Sequence, residues 1–394
     1  MNLGETKKPI VWHIVAWWPT IDKPGNGLFI RAHIESIGDF AHHYIVYLKA
    51  SKKPWTLPSI KIEHKSSGIE EFLVDVSLPI RRFGLHEMFT KKGYEKAFVQ
   101  MEKTAGKPDL IHLHVRSHLT KHAIPALLRQ NAPIVFTEHF SFYHRGIKSL
   151  STKDQEAETQ DIKTFLQRPN LKQTMPVSEE LKGILIESFG AEEKKVTVIP
   201  NIADACFDFK PFQKGNQIRI SLVAGWHFPK NPILFFQAIE RLPQEIKNRL
   251  HIDFIGHGSQ LELVKRHIQA HINDLDIVVH GYLNKPSIAQ YLQQSDFFVH
   301  PTDQENLPTV IAEALCCGTP VLSMNVNGIP EMVDTKNGIL VEPKNLEAMA
   351  IGLHEMIERS DSFYREAISV EARKRYGKSE IGTQILNVYK SALR

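Results

Sequence analysis

The chain has few cysteines and no long apolar run, and both absences exclude broad classes of protein. Only 3 of its 394 residues are cysteines, and Cys316 and Cys317 are adjacent. This spacing matches neither a disulfide framework nor a metal-ligand motif. No apolar run approaches the roughly 20 residues of a membrane-spanning helix, and MNLGETKKPIVWHIVAWWPT lacks the apolar core and cleavage site of a signal peptide. We therefore expect buried thiols and a cytoplasmic protein.

Three common ligand-binding motifs are also missing. No G-x-x-x-x-G-K-[ST] phosphate loop is present, and no G-x-G-x-x-G follows the first apolar run, where the nearest glycines are Gly25 and Gly27. This argues against a nucleotide-dependent kinase or a dehydrogenase. No D-x-D cluster follows an apolar run either. We therefore expect no metal ion at the active site and no cofactor.

Length and charge indicate two soluble domains with different surfaces. A chain of 394 residues is too long for one ordinary core, and 42% hydrophobic with 23% charged residues is an ordinary globular composition. Residues 1–200 contain 28 Lys+Arg against 22 Asp+Glu, whereas residues 201–394 contain 20 against 22. The excess of basic residues in the first half forms either ordinary solvated surface or a face that binds anionic lipid. It gathers with aromatic and apolar residues around Lys52, Lys53, Trp55, Arg81, Arg82, Phe83, Leu85, Met88, Phe89, Lys91 and Lys92.

Short apolar runs alternate with helical patterns in both halves, which predicts two doubly wound α/β domains with parallel sheets. The predicted strands are PIVWHIVAW, YIVYL, DLIHLHV and PIVFT, then IRISLVAG, HIDFIG, DIVVHG, DFFVHP, PVLSM and GILVEP. The aperiodic segment 198–217 separates them. We therefore predict domains at 1–200 and 201–394 that face each other across a cleft. Residues from about Asn345 onward should be helical, and the final helix is a candidate to pack back on the first domain.

The stretch ENLPTVIAEALCCGTPVL places two carboxylates in an apolar run. Pro308 is expected as the first helical residue, and Glu313 is flanked by apolar residues of that helix. A carboxylate among core residues needs a partner. Two surface glutamates are the alternative. We expect instead that Glu305 and Glu313 both face a cleft at the carboxyl ends of the strands, where open α/β sheets bind ligands.

Several motifs together resemble the retaining, nucleotide-sugar-dependent glycosyltransferases of family 4, which have the GT-B fold. The main motif is E-x7-E followed by EAL-x2-G-TPV-x8-PE, and the resemblance covers nearly the whole chain. The supporting motifs are GNGLFIRAHIE, DLIHLH, VFTEH, VSEELK, VIPNIAD, VAGWHFPKNP and IGHGSQLE. Each motif is unremarkable alone, whereas their order and spacing are specific.

The resemblance implies a donor site in the second domain. Glu313 would hydrogen-bond the ribose hydroxyls of a nucleoside diphosphate sugar, and Glu305 would approach the sugar. The sugar hydroxyls would also meet the backbone amides of Asn306, Leu307 and Thr309.

The resemblance also implies how the diphosphate is bound. Lys230 matches the family lysine that neutralises the leaving diphosphate, although a surface lysine is the alternative. The family usually has an arginine five residues earlier, where this chain has Gly225. His227, Arg31 or a helix N-terminus would then supply part of the missing charge. Gly256, in IGHGSQ, is expected to contact the donor.

In the first domain, Gly25 and Gly27 match a phosphate and acceptor loop, with a plain turn as the alternative. His139 matches the family histidine near the reacting centre. We expect His112 and His114 to face opposite sides of their strand, with one of them in the core.

The resemblance implies a metal-independent hexosyltransferase of the retaining type, acting in cell-envelope polysaccharide synthesis on a glycan or lipid-linked acceptor. The expected partners are the donor, this acceptor and an anionic membrane surface, but no nucleic acid. We expect the enzyme in the cytoplasm or on the inner face of the cytoplasmic membrane. The alternatives are a non-catalytic sugar-nucleotide-binding protein and a nucleotide-sugar epimerase. An α-glucan phosphorylase is disfavoured because phosphorylases have a much longer chain.

Overall fold

The chain folds into two compact units, each with one β-sheet and packed helices. The structure is a computed structural model, and it describes residues 7–52, 59–66, 69–78, 85–139, 141–143, 146–211 and 213–394. Unit 1 consists of Met1–Val177, Leu181–Ile199 and Gly382–Arg394, and unit 2 consists of Ser178–Glu180 and Pro200–Ile381.

The sheet of unit 1 has seven strands among the described residues. They are β1 (Ile10–Val15), β2 (His42–Lys52), β3 (Ser59–Ser66), β4 (Glu70–Leu78), β5 (Leu110–His114), β6 (Ile134–Glu138) and β7 (Leu171–Pro176). Their order is β3-β4-β2-β1-β5-β6-β7. Every residue of β1, β5 and β6 is buried, as expected for parallel strands covered on both faces.

The described part of unit 2 forms a sheet of six parallel strands. They are β8 (Ile218–Gly225), β9 (Leu250–His257), β10 (Asp276–Gly281), β11 (Phe297–His300), β12 (Val321–Met324) and β13 (Gly338–Val341). Their order is β10-β9-β8-β11-β12-β13, with β11 paired to β8. The chain adds β9 and β10 on one side of β8 and then crosses to the other side at β11. A ligand-binding crevice is therefore expected at the carboxyl ends of β8 and β11.

Helices connect the strands and pack against both sheets. In chain order they are α1 (Leu28–Ser36), α2 (Leu85–Ala105), α3 (Ile124–Leu128), α4 (Thr152–Leu166), α5 (Glu179–Glu187), α6 (Pro232–Glu240), α7 (Gln244–Lys247), α8 (Leu261–His271), α9 (Lys285–Gln294), α10 (Thr309–Cys316), α11 (Leu346–Arg359), α12 (Arg365–Tyr376) and α13 (Lys378–Ala392). Among the described residues, no helix has both the length and the apolar character needed to span a bilayer.

The structure adds strands that the sequence did not predict. Strands β3, β4 and β7 were missed, and β3 is antiparallel to β4 at the edge of an otherwise parallel sheet. Helix α10 begins at Thr309, so Pro308 precedes the helix and is not its first residue. Of the predicted basic face, Lys53, Trp55, Arg81, Arg82 and Phe83 lie outside the described residues.

The expectation that His112 and His114 face opposite ways is wrong. Side chains alternate along a strand with a period of two, so residues two apart lie on the same side. Their imidazole rings stack with centroids 3.6 Å apart, and both side chains are buried.

Candidate functional site

Two loops of unit 2 meet where β8 and β11 end. The loop after β8 contains Lys230, and the loop after β11 contains Glu305. Lys230 forms an isolated antiparallel bridge with Thr302, and the N–H of Asn231 donates to the carbonyl oxygen of Pro301 at 2.9 Å. These backbone contacts hold the two loops together at the point where the strand order reverses.

The side chains of Lys230 and Glu305 form an ion pair in this crevice. Lys230 Nζ contacts Glu305 Oε1, and His300 Nε2 lies 3.1 Å from the same oxygen. Burial alone would raise the pKa of Glu305, but Lys230 and His300 outweigh it and lower that pKa to about 2. Burial lowers the pKa of His300, which favours a neutral ring that donates to the carboxylate. The site therefore contains a fixed carboxylate and a cation in contact.

Glu313 lies on α10 in a different electrostatic environment. Its side chain is only 7% exposed, and burial raises its pKa to about 8, although Lys285 opposes the shift. Lys285 is itself paired with Asp204 at 3.2 Å. Among the described residues, no side chain hydrogen-bonds the Glu313 carboxyl group. Burial thus favours the protonated form of Glu313 at neutral pH, in contrast to Glu305.

The segment between Glu305 and α10 is held by side chains from elsewhere in unit 2. Ser178 Oγ donates to Asn306 Oδ1 at 2.8 Å, and Asn201 Nδ2 donates to the Leu307 carbonyl oxygen at 2.7 Å. Helix α10 then begins at Thr309 with neither a side-chain cap nor an acidic residue in its first turn. Backbone N–H groups at such a helix start can receive an anion or a hydroxyl group.

The ends of β9 and β8 approach each other closely. Gly256, the next-to-last residue of β9, has φ 126°, and a Cβ atom there would lie 1.9 Å from the carbonyl oxygen of Ala224 in β8, so only glycine fits. After β9, the Ser259 N–H donates a hydrogen bond to His227 Nδ1 at 3.1 Å, and Gln260 Nε2 donates to the Lys230 carbonyl oxygen at 2.8 Å. The structure therefore places His227 and Lys230 near the end of β9.

The predicted phosphate and acceptor residues lie in unit 1. Gly27 adopts φ 69° at the start of α1, and a Cβ atom there would lie 2.5 Å from the Trp17 carbonyl oxygen. Gly25 is exposed in the preceding turn. Arg31 Nε donates to Glu35 Oε1 at 2.7 Å across one turn of α1. The Arg31 charge is therefore already paired within its own helix.

His139 follows β6 and is buried in unit 1. Its ring centroid lies 4.8 Å from that of Phe29 and 5.0 Å from that of His33, both on α1. It also lies 6.4 Å from the His114 ring. The structure thus brings His139 into contact with the helix that Gly27 begins.

Sequence reasoning missed the residues that support the two glutamates. His300 bonds Glu305, and Asn327 Oδ1 accepts from the Glu305 backbone N–H at 3.2 Å. Lys285 affects the pKa of Glu313 from another helix. The signal for His300 was its position next to last in the predicted strand DFFVHP, close to the crevice. The sequence contains no comparable signal for Asn327 or Lys285.

The fold and the family are shown by comparison with known proteins. The crystal structure of Anabaena HepE in complex with UDP matches with a TM-score of 0.69 and 16% identity, covering 97% of this chain and 100% of that protein. The fold is GT-B, the architecture of a large class of glycosyltransferases. The model for glycosyl transferases group 1 matches residues 207–376, and that for glycosyltransferase family 4 matches residues 72–207. The chain belongs to this group 1/family 4 class of glycosyltransferases.

Curated relatives have low identity to this chain. An uncharacterized glycosyltransferase of Methanocaldococcus jannaschii is 28% identical over 75% of this chain and 79% of its own length. The D-inositol 3-phosphate glycosyltransferase of Xylanimonas cellulosilytica is 25% identical over 53% of this chain. That match spans only 54% of the Xylanimonas protein. Both relatives are named as glycosyltransferases.

Proposed function

We propose that this glycosyltransferase transfers a sugar, with retention of configuration, from a nucleoside diphosphate sugar to a glycan or lipid-linked acceptor. The observation that carries the proposal is the Lys230–Glu305 pair at the carboxyl ends of β8 and β11. It supplies a cation for a departing diphosphate and a carboxylate for sugar hydroxyls. The UDP bound to the Anabaena structure supports a nucleotide donor.

The donor nucleotide is recognised by Glu313. Its buried carboxyl group has no hydrogen-bonding side chain among the described residues, and a ribose diol supplies the two missing donors. Charge-assisted hydrogen bonds of this kind are stronger than neutral ones. The backbone amides of Asn306, Leu307 and Thr309 bind the sugar, and Gly256 lets the end of β9 approach the donor without a side chain in the way.

The transfer occurs by attack on the same face as the leaving group. The bond from the acceptor oxygen to the anomeric carbon forms as the bond to the diphosphate oxygen breaks, and that oxygen takes the acceptor proton. Lys230 stabilises the negative charge on the diphosphate, while Glu305 orients the sugar. His139 contributes near the sugar, and Gly25 and Gly27 form the phosphate and acceptor loop. Because Lys230 supplies the charge, no divalent cation is needed.

Unit 2, whose main segment is Pro200–Ile381, is the donor-binding domain, and unit 1, which includes Gly382–Arg394, is the acceptor-side domain. Because Glu305 is paired with Lys230, a bound diphosphate shares the positive charge of Lys230 with the Glu305 carboxylate. His227 lies close to Lys230 in sequence and is a second donor for the diphosphate. It compensates in part for Gly225, which stands where an anchoring arginine is usual.

One observation favours a second candidate, a sugar-nucleotide-binding protein without transferase activity. Gly225 stands where an arginine is usual and provides no cation beside Lys230, so one contact to the diphosphate is missing. Such a protein would bind the donor but release neither free nucleotide nor transferred sugar. A nucleotide-sugar epimerase would instead convert the donor into its isomer. Product analysis by chromatography after incubation with donor separates these outcomes.

The two glutamates should have different kinetic effects. We expect Glu313→Ala to weaken donor binding about 10- to 100-fold, because a hydrogen bond to a charged group contributes about 1.5–3 kcal/mol. Glu305→Ala should lower kcat more than donor affinity, because it removes the group that orients the reacting sugar. Steady-state kinetics with varied donor, together with calorimetric titration, separate the two effects.

The conservative variants Glu313→Gln and Glu305→Gln serve as controls for folding, because they retain side-chain volume. Circular dichroism should give native spectra for both. If all four variants show wild-type donor affinity and kcat, the assignment of both residues is wrong.

The acceptor-side domain is proposed to dock on an anionic membrane surface in the cytoplasm, where it meets a lipid-linked acceptor of cell-envelope polysaccharide synthesis. On α2, Lys92 lies over the Phe89 ring at 5.8 Å, and Met88 is 39% exposed. Each basic residue near an anionic surface contributes about 1 kcal/mol. We expect sedimentation with phosphatidylserine vesicles at low salt. High salt should abolish it.

A quadruple alanine variant of Arg81, Arg82, Lys91 and Lys92 should lose this sedimentation. The matched control removes four basic residues of unit 2, which are Lys247, Arg249, Lys265 and Arg266. Loss of sedimentation in the control as well would indicate only a general charge effect. Absence of wild-type sedimentation at low salt would favour a soluble acceptor.

A further inference from the structure

A cavity of about 820 Å³ lies in unit 1, over the sheet face formed by β2, β4 and β3. Its walls are these strands, α1 and the loop between β1 and α1, which all belong to unit 1. Helix α2 packs on the opposite face, where a Cβ atom added to Gly93 would lie 3.0 Å from Leu48 Cδ1 and 3.1 Å from Val76 Cγ2. The cavity therefore uses the side of the sheet that α2 leaves open.

The register of the three strands arranges charged side chains in rows across this face. Lys49 on β2 pairs with Asp75 on β4, and Asp75 pairs with Lys61 on β3. In a second row, Glu71 on β4 pairs with Lys65 on β3. Residues that pair directly on adjacent strands project to the same side of a sheet. The floor of the cavity therefore alternates positive and negative charge.

Two of these charges have no partner. Lys49 Nζ lies 3.7 Å from Asp22 Oδ2, which joins the loop to β2. By contrast, the exposed Lys61 and the half-buried Glu71 have no ion pair or side-chain hydrogen bond within the described ranges. A ligand can therefore bind this ammonium group and this carboxylate without breaking an ion pair.

The strip between the two rows is largely apolar. Tyr47 on β2 pairs with Leu73 on β4, and both side chains are half-buried. Pro19, Pro24 and Leu28 line the facing wall. These surfaces suit C–H groups of a ligand, whereas the two charged rows suit its polar groups.

The charge balance of the lining selects the kind of ligand. The cavity has equal numbers of basic and acidic side chains, so it favours neither an anion nor a cation. A hydroxyl group both donates and accepts hydrogen bonds, whereas a carboxylate only accepts and an ammonium group only donates. Neighbouring hydroxyls can thus bind Glu71 and Lys61 at the same time. A neutral sugar has hydroxyls at its edges and C–H groups on its faces, which matches this lining.

One wall of the cavity belongs to the loop that the sequence motifs indicate as the acceptor loop. A turn lies within this wall, in which the Thr20 N–H donates to the Lys23 carbonyl oxygen at 3.2 Å. The chain then continues through Gly25 to Gly27, the N-cap residue of α1. The cavity is thus next to the proposed acceptor loop.

We propose that this cavity binds a neutral glycan, which is the part of the acceptor remote from the reacting sugar. This role rests on the proposed transfer to a glycan acceptor. Lys61 and Glu71 bind hydroxyl groups through charge-assisted hydrogen bonds, and Tyr47 and Leu73 pack against the faces of the sugar rings. A long acceptor is therefore bound more tightly than a short one that does not reach the cavity.

Binding of the full-length protein to an array of bacterial surface oligosaccharides tests the site without donor or transfer. We expect binding to at least one neutral oligosaccharide. The variant Lys61→Ala/Glu71→Gln should weaken that binding about 10- to 100-fold in calorimetric titration, because charged groups form the lost hydrogen bonds. The matched control Glu102→Gln/Lys103→Ala changes the same residue types on α2, across the sheet, and should bind as the wild type does.

Two further measurements separate this site from the proposed reaction. The cavity variant should keep the wild-type thermal shift with donor, and in transfer assays it should raise the KM of a long acceptor with little change in kcat. Absence of any bound neutral oligosaccharide, or equal affinity in the wild type and the cavity variant, would overturn the proposal even if transfer is confirmed. Glycan binding that only the cavity variant loses would support the site even if no transfer is detected.

Discussion

Replacing Lys230 with alanine should lower kcat/KM about 10²- to 10³-fold, which corresponds to roughly 3–4 kcal/mol of transition-state stabilisation. Lys230 is the cation in contact with Glu305 at the ends of β8 and β11. Negative charge on the diphosphate increases as its bond to the sugar breaks. Loss of the Lys230 cation should therefore affect the transition state more than the bound ground state. Single-turnover kinetics with saturating donor measure the chemical step directly.

The same substitution leaves Glu305 buried without its main counter-charge, which by itself destabilises unit 2. The double variant Lys230→Ala/Glu305→Gln removes both charges and controls for this effect. It should recover thermal stability but not transfer. If Lys230→Ala has wild-type activity, or if the double variant regains it, Lys230 does not stabilise the leaving group. Magnesium should not restore activity to any of these proteins.

Donor affinity should increase with pH as Glu313 ionises. Burial raises the pKa of Glu313 to about 8, whereas the donor ribose requires the carboxylate as an acceptor. Binding below pH 8 must therefore release a proton, and the dissociation constant should fall by up to about tenfold per pH unit. The titration should use an intact nucleoside diphosphate sugar. A free nucleoside diphosphate has a terminal phosphate that ionises in the same pH range as Glu313 and would obscure the effect.

The Glu313→Gln variant should bind donor weakly and independently of this ionisation. An equally steep pH dependence in the variant would assign the proton to another group.

Folding stability gives an independent check of the Glu313 pKa. The pKa of Glu313 in the folded state is above the ordinary value of 4.5. Its contribution to the free energy of unfolding is therefore fully present below pH 4.5 and is lost as the pH rises to about 8. Glu313→Gln should not show this loss in thermal unfolding.

The central strands of both sheets could be predicted because they are continuous apolar runs. Strand β1, IVWHIV, is buried at every position, and its pattern in the sequence is unambiguous. Strand β3, SIKIEHKS, is mostly polar and half exposed at the sheet edge, so it lacks such a run. Strand β7, LKQTMP, has polar residues at its second and third positions. Edge and partly polar strands are determined by their neighbours, which a local pattern does not contain.

The site residues were named from motifs, but their chemical states required the structure. The spacing of Glu305 and Glu313 predicted two carboxylates near a cleft. It could not predict that Lys230 and His300 lower one pKa to about 2 while burial raises the other to about 8. Contacts between distant parts of the chain cause both shifts.

The central claim is that unit 2 binds a nucleoside diphosphate sugar through Lys230, Glu305 and Glu313. A thermal-shift screen of the wild type against a panel of these sugars tests it directly, with Glu313→Ala and Lys230→Ala in parallel. A ligand at 100 times its dissociation constant stabilises the folded state by about 2.7 kcal/mol. We predict a clear shift with at least one donor and a smaller shift in both variants. No shift with any donor, or equal shifts in all three proteins, would contradict the account.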